Sequence, residues 1–532
     1  MNFLNKEFYS RQLFIINLIV ILSLCISVFK SAYNTDPWHS PYMFFNAYQM
    51  LKGATPYSEN HILYGIMTTL VHYFSLLSLG NYVLSISVVT GFLYALTFLF
   101  YYFILINLGL KKNNSLIITL VIFIIHPAIF LPWPNYIAYF FVILSIFFFT
   151  LISNTSKNFF FLGLLLGLAT LSRQTFFFST ILFIIFILLL KFSKLKKIIL
   201  ISSYFSILVL FFIYLELNSL TDAWIISNIK AHSLSHYINY HPLFNFNSNN
   251  FFNYFFLIVP LLKKLFFSIP TLNYKWFFYL FLLVGNIIYF INHLFKNKSD
   301  LNRKLLSISF FSLLLFSEAV HISDLFRLST GAIIGVIPIS FSIFKIIERF
   351  KKKFTVKFKF ILILFFIFFF FLYLNYLLNL LKTITHYEKK MSEPKVSYLK
   401  FHRFPNDVTL FYDQFNFEMV RMRTLYPEIK YNYNMASNCM LPIISETRTF
   451  QFTCFDVVDG MVDGQWKNFY LLKPELSLKH KLKKSEKDIV VFQDVIDKKE
   501  IFSENFFIFS QLNNPFNNKT LLILISKNTI NR

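Results

Sequence analysis

Charge is scarce in this chain. Only 14% of its 532 residues are charged, against 56% hydrophobic and 20% aromatic, and the mean hydropathy is +0.57. That balance excludes an ordinary soluble globule and points to a polytopic membrane protein. Acidic residues are scarcest: 26 Asp and Glu stand against 50 Lys and Arg, a formal charge of +24. The excess of positive charge suits nucleic acid in principle. The basic residues, however, stand in short runs between apolar segments, where the positive-inside rule already calls for them, so no nucleic-acid partner is expected. Three cysteines are too few for a disulfide scaffold. Cys25 lies in the first apolar segment, while Cys439 and Cys454, in the polar C-terminal region, read either as a disulfide or as two free thiols. No small-residue cleavage site follows the first apolar run, which reads as an uncleaved helix. There is no internal repeat and no low-complexity linker. No His/Asp/Glu spacing closes a metal site, so neither a cofactor nor a metal is expected.

What is present is a series of apolar runs. About 20 mostly apolar residues cross roughly 30 Å of hydrocarbon as a helix. Candidate spans lie near 12–32, 82–108, 114–132, 135–153, 158–172, 175–192, 197–217, 275–295, 305–321, 326–347 and 360–381, about 11 in all. With Lys6 and Arg11 inside, the basic loops at Lys111 and Lys112, Lys191 to Lys197, Lys296 to Lys304 and Arg349 to Lys359 also fall inside. The stretch 251–270 carries Lys263 and Lys264 and reads as an interfacial or re-entrant helix. This predicts a cytoplasmic N-terminus, a transmembrane module over 1–381 with a first outer loop at 33–81, and a C-terminal region over 382–532 on the outer, periplasmic side. In that region apolar runs shorten to strand length (Ile489 to Phe492, Phe506 to Phe509, Leu521 to Ile525) and Asp-Gly turns occur at 459–460 and 463–464, so a soluble mixed α/β domain is expected.

Ionisable groups at membrane depth are expensive and are functional candidates by default. The topology gathers several at the outer face: Asp36 after the first span, Arg173 at the turn between the fifth and sixth, and Glu318, His321, Asp324 and Arg327 around the turn between the ninth and tenth. A carboxylate can take a proton from an attacking hydroxyl and Arg can hold a phosphate bidentately. Each residue also has a plain structural reading. Arg173 can snorkel to the interface, the residues at 321, 324 and 327 can pair across a helical turn, and Asp36 can cap a helix beginning at Pro37. The first loop itself carries helical apolar spacing at Tyr42, Phe45, Tyr48 and Leu51, a stop at Gly53, a turn at Pro56-Tyr57 and a second stretch from His61 to Leu77. Two amphipathic surface helices are expected there.

The ordered set Asp36-Pro-Trp-His39, an amphipathic helix ending at Lys52-Gly53, Pro56-Tyr57 and Tyr64-Gly65 resembles the first exoplasmic loop of the GT-C superfamily. These are integral-membrane glycosyltransferases that include bacterial relatives of the aminoarabinose and protein O-mannosyl transferases. The run GLLLGLATLSRQ, ending at Arg173, is similar to their Gly-rich mid-chain helix, and the turn with His321, Asp324 and Arg327 resembles a later motif of some bacterial members. The resemblance covers most of residues 1–350. It implies a GT-C-like fold with an outer cavity, a polyprenyl-phosphate sugar donor, a lipid-linked or other envelope acceptor, and residence in the bacterial plasma membrane. It also implies that Asp36 is the general base and that Arg173, Arg327, His321, Asp324, His39, Tyr57 and Tyr64 bind donor phosphate or substrate. Ser40, Pro41 and Ile66 depart from the pattern, which speaks against a two-carboxylate or metal-dependent mechanism and leaves Asp36 as the single best candidate.

Two competing readings are an O-antigen-type polysaccharide polymerase and a glycolipid transporter or flippase. The polymerase does not require the Asp-led loop. The transporter predicts inverted repeats and midplane charges, neither of which the sequence contains.

Overall fold

The computed structural model describes residues 11–57, 59–60, 62, 64–151, 155–225, 274–295, 299–316, 325–351, 378, 390–436, 438–449, 454, 488–496 and 505–530. The apolar runs form helices α1 (Arg11–Ala32), α4 (Val83–Asn107), α5 (Lys112–Ile125), α6 (Pro134–Thr150), α7 (Ser156–Ser172), α8 (Phe176–Leu189) and α9 (Lys194–Leu217). After the short α10 (Thr221–Ile225) come α11 (Tyr274–His293), α12 (Asp300–Leu315) and α13 (Leu325–Lys351). Every expected span up to residue 347 meets one of these helices, while 360–381 and 251–270 lie outside the described residues. Among the described residues, length and composition make α1, α4 and α9 able to cross a membrane, and α5, α6, α7 and α8 are shorter apolar helices. Apolar side chains face outward along α1 (Phe14, Leu18, Ile21) and α9 (Leu195, Leu210, Leu217), as a lipid-facing surface requires. Hydroxyls inside the bundle are satisfied by carbonyls one turn back, as with Ser27 to Ser23 O at 2.8 Å and Thr90 to Ile86 O at 2.8 Å.

One expected boundary moves. The third span was expected to reach residue 132, but α5 ends at Ile125 and residues 126–133 form a non-helical connection. Pro127 and Pro132 account for this, since neither can donate to a helix and each biases its predecessor away from helical backbone.

α7 packs on α6 and α9. Its glycines make this possible: a Cβ on Gly163 would lie 2.1 Å from Ser203 Oγ and 2.4 Å from Leu200 O, and one on Gly167 would lie 3.1 Å from Tyr204 O. Gly163 and Gly167, four residues apart, form a small-residue seam that brings two backbones together. The motif therefore sets where α7 ends, at Arg173.

The first loop folds as two helices, as expected: α2 (His39–Leu51) and α3 (Ile66–Leu79). Their environment differs from the expectation. On α2, every residue from Ser40 to Tyr48 is buried, so it is not an amphipathic helix resting on a membrane surface. The chain's C-terminal region covers the side that water would otherwise wet.

That region is mixed α/β. A short hairpin of β1 (Met391–Ser392) and β2 (Phe404–Pro405) leads into α14 (Asn406–Leu425), followed by β3 (Tyr431–Asn434), α15 (Met440–Ile444), β4 (Arg448–Thr449), β5 (Ile489–Val495), β6 (Phe506–Asn514), β7 (Lys519–Ser526) and α16 (Lys527–Ile530). The main sheet runs β4-β3-β5-β7-β6, parallel across β4-β3-β5 and antiparallel across β5-β7-β6. The three expected strand runs all fall on its strands. The Asp-Gly turns lie outside the described residues. Cys439 and Cys454, both buried, are joined as a disulfide. The domain is tied to the end of α1 by Arg403 N–H to Ala32 O at 2.8 Å, and to the first loop by Tyr48 Oη to Tyr398 Oη at 3.0 Å and Arg448 Nη2 to Glu59 Oε1 at 2.8 Å.

Candidate active site at the N-terminal end of α2

Asp36 heads α2 and uses both carboxylate oxygens. Oδ1 accepts the backbone N–H of Trp38 at 2.8 Å and of His39 at 3.3 Å, and Oδ2 faces His39 Nδ1 in a short contact. The helix expected to begin at Pro37 begins at His39, with Trp38 at its N-cap position, so Asp36 holds the chain just ahead of the helix and also pairs with the imidazole. Burial raises the Asp36 pKa, but the His39 hydrogen bond and charge and the two backbone N–H groups lower it by more, so the carboxyl lies below its ordinary value. With Nδ1 carrying the proton toward the carboxylate, His39 Nε2 is left to accept one. The His39 side chain is half exposed, at 49%, and Asp36 is less so, at 23%.

From His39 a line of aromatic contacts runs to the next candidate. The His39 ring meets Trp133 edge-on at 4.9 Å, Trp133 meets Tyr64 at 5.1 Å, and the Arg173 guanidinium lies 4.8 Å over the Tyr64 ring. Tyr42, on α2, closes on Tyr64 from the side at 6.0 Å. Gly65 is the reason Tyr64 reaches Arg173. A Cβ there would sit 1.9 Å from Leu171 O, so only glycine lets the loop lie on the last turn of α7. Thr68 Oγ1 donates to Ser172 O at 2.8 Å and fixes the same approach.

Arg173 does not snorkel. It is only 7% exposed, its Nε has no hydrogen-bond partner, and among the described residues no carboxylate pairs with it. A buried cation without an anion is unfavourable by several kcal/mol even after relaxation. The arrangement suits an anionic ligand held against the guanidinium.

The structure brings Asp36, His39, Tyr64 and Arg173 together, four of the eight candidates. It moves Tyr57 away. That residue is 1% exposed, has φ +66° and packs with Ile62, Ile66, Phe211 and Leu215, so it anchors the loop to the C-terminal end of α9. The Pro-Tyr turn that suggested a substrate residue is a structural fastening. Arg327 falls in the first turn of α13, and His321 and Asp324 lie outside the described residues. Among the described residues no three His, Cys, Asp or Glu side chains gather as metal ligands.

Residues that sequence reasoning missed frame the site. Trp133 is the central one. A tryptophan between two prolines, Pro132 and Pro134, in a turn between two apolar runs was the available signal, because such a residue is held rigidly at the head of α6. On the other side the C-terminal domain reaches in: Cys439 N–H points to Pro37 O at 3.4 Å, and Asn438 Nδ2 donates to Tyr412 Oη at 3.1 Å. Burial raises the Tyr412 pKa and the nearby Asp36 charge raises it further, against a lowering by the Asn438 bond.

No protein-family model matches the chain, and no curated protein matches it. A solved structure does. It is the archaeal oligosaccharyltransferase AglB from Archaeoglobus fulgidus, in complex with an inhibitory peptide and a dolichol-phosphate; the similarity covers 92% of this chain and 70% of that one at 10% identity, with a TM-score of 0.44. Likeness of that size decides neither family nor activity.

Proposed function

We propose that the chain is an integral-membrane glycosyltransferase of the GT-C kind. It moves a sugar from a polyprenyl-phosphate donor to a lipid-linked glycan or other envelope acceptor at the outer face of the bacterial plasma membrane. The observation that carries this reading is that Arg173, buried and without a carboxylate partner among the described residues, shares one aromatic surface with an Asp36–His39 dyad. The acceptor hydroxyl gives its proton to the dyad. Its oxygen forms the new bond to the anomeric carbon as the bond from that carbon to the phosphate oxygen breaks, and the phosphate leaves with the electron pair. Arg173 neutralises the charge that develops on the leaving phosphate, where little water competes. A carboxylate held below its usual pKa is a weak base alone, so His39 Nε2 is the atom we assign to the proton, with Asp36 orienting the ring and stabilising the imidazolium. The disulfide fits an oxidising outer compartment.

Membranes containing the protein, supplied with a radiolabelled polyprenyl-phosphate sugar, test this directly, with glycolipid products read by mass spectrometry. Transfer should be lost in Asp36→Ala, His39→Ala and Arg173→Gln. An Asp36→Ala protein that inserts, folds and transfers at the full rate would falsify the mechanism.

A further inference from the structure

The far end of α2 borders a second feature that the reaction above does not use. Where α2 ends and the chain turns at Lys52 and Gly53, a cleft of about 410 Å³ opens between the first loop and the C-terminal domain. Gln49, Lys52 and Glu59 line it from the loop, and Glu446, Thr447 and Arg448 line it from the domain. Neither module forms the cleft alone, and boundaries between modules are favoured places for small-ligand sites.

The chemistry of the walls is selective. Two cations and two carboxylates line the cleft, so its charge sums to zero, and Tyr48, Ala54 and Ile443 supply apolar surface beside them. A phosphate or polyanion would meet Glu59 and Glu446, and a lipid tail would have to desolvate four charged groups. A neutral ligand rich in hydroxyls would find donors and acceptors on every side.

Those donors and acceptors are fixed in place. Arg448 Nη2 holds Glu59 Oε1 at 2.8 Å, Arg423 Nη1 holds Glu446 Oε2 at 3.1 Å, and Gln49 Nε2 reaches Thr449 Oγ1 at 3.3 Å. Glu446 sits at φ +55°, in left-handed backbone that residues other than glycine seldom take. The turn that imposes this is built from buried Asn432, whose Nδ2 donates to Ser445 Oγ at 3.1 Å and Thr447 O at 2.9 Å. Side chains locked in this way before a ligand arrives are what a recognition site requires.

We propose that this cleft is a saccharide-binding site that holds a neutral part of the acceptor glycan at a fixed distance from the reacting hydroxyl. The description of the ligand as the acceptor rests on the transfer reaction proposed above, whereas the site and its ligand class rest on the cleft itself. The 13 residues of α2 separate the cleft from His39 by about 20 Å at 1.5 Å per residue. α2 is therefore a ruler: a glycan long enough to occupy both ends at once is favoured over a short one.

The test uses the full-length protein in nanodiscs. The probe is the neutral oligosaccharide fraction released by mild acid from the lipid-linked glycans of cells lacking the gene. Saturation-transfer NMR should detect binding to the wild type, with no competition from inorganic phosphate. Binding should weaken about tenfold in Arg448→Ala/Gln49→Ala, the loss expected for hydrogen bonds to charged and polar walls. Lys52→Ala, at an exposed helix end, is the second variant, and a melting curve confirms that each is folded. In transfer assays these variants should raise the KM for the long acceptor about tenfold and leave that for a monosaccharide acceptor unchanged. Absence of binding by the folded wild type, undiminished binding in both variants, or displacement by phosphate overturns the proposal. Asp36→Asn separates the two readings. If it transfers normally while the cleft variants still lose the oligosaccharide, the reaction falls and the site stands; if it is inactive while the cleft variants bind normally, the reverse holds.

Discussion

At the N-terminal end of α2 the Arg173 guanidinium is buried with no carboxylate beside it among the described residues. At the C-terminal end Glu59, Arg448, Glu446 and Arg423 are more exposed and already paired with one another. The contrast separates two uses of charge. A buried cation without a partner is costly, and an anion brought by a ligand would offset that cost. Exposed pairs cost little and add little stability, so their value lies in the geometry they hold. Two ends of one helix thus fit the two parts of one reaction, a charged donor and a neutral acceptor.

The sharpest way to break this comparison is at the dyad. Asp36→Asn should lower the transfer rate by about 10²- to 10⁴-fold, the range for general acid–base groups, with a melting temperature close to that of the wild type. Arg173→Met comes next. The rate should fall about 10²- to 10³-fold, yet the ligand-free protein should melt no earlier, because an unpaired buried charge has been removed. Added polyprenyl phosphate should raise the melting temperature of the wild type only. If Arg173→Met unfolds the protein, the cation is structural and the contrast fails.

The clamp between the two ends can then be loosened. Replacing Cys439 and Cys454 by Ser opens a loop closed across a separation of 15 residues and should cost the C-terminal domain about 3 kcal/mol, measured by denaturant unfolding. His402 offers a milder handle. Burial holds its pKa at about 4, against a slight raising by the Lys400 backbone. The folded chain therefore binds fewer protons than the unfolded one between about pH 6.5 and 4. Stability is full above pH 6.5 and declines as pH falls through that window, by up to about 3 kcal/mol, and His402→Gln should flatten the decline. The smallest effect belongs to the exposed pair: Glu59→Gln should change stability by less than about 1 kcal/mol.

The apolar runs were legible because helix formation in a membrane answers to local composition, and α1, α4 and α9 lie where hydropathy puts them. The strands at 489, 506 and 521 were legible for a similar reason, as short β-branched and aromatic runs. β3 was not, since Tyr-Asn-Tyr-Asn is only four residues long and buries the amides that an alternating strand would turn to water; its two asparagines are buried because they hold neighbouring turns. At the site, Asp36, His39, Tyr64 and Arg173 were named from their place in an ordered motif. Tyr57 belonged to the same motif and proved to be an anchor. A motif records which residues occur in order but not which way each side chain turns.

By itself the sequence determined the membrane class, the helical loop after the first span and a mixed domain at the C-terminal end, because burial of apolar surface and satisfaction of backbone groups depend on nearby residues. Only the tertiary structure decided that residues 36, 39, 64, 133 and 173 share one surface. That meeting depends on close backbone approaches at Gly65, Gly163 and Gly167 and on a distant domain lying over α2. No local pattern contains those distances, because they are set by packing between segments far apart in the chain.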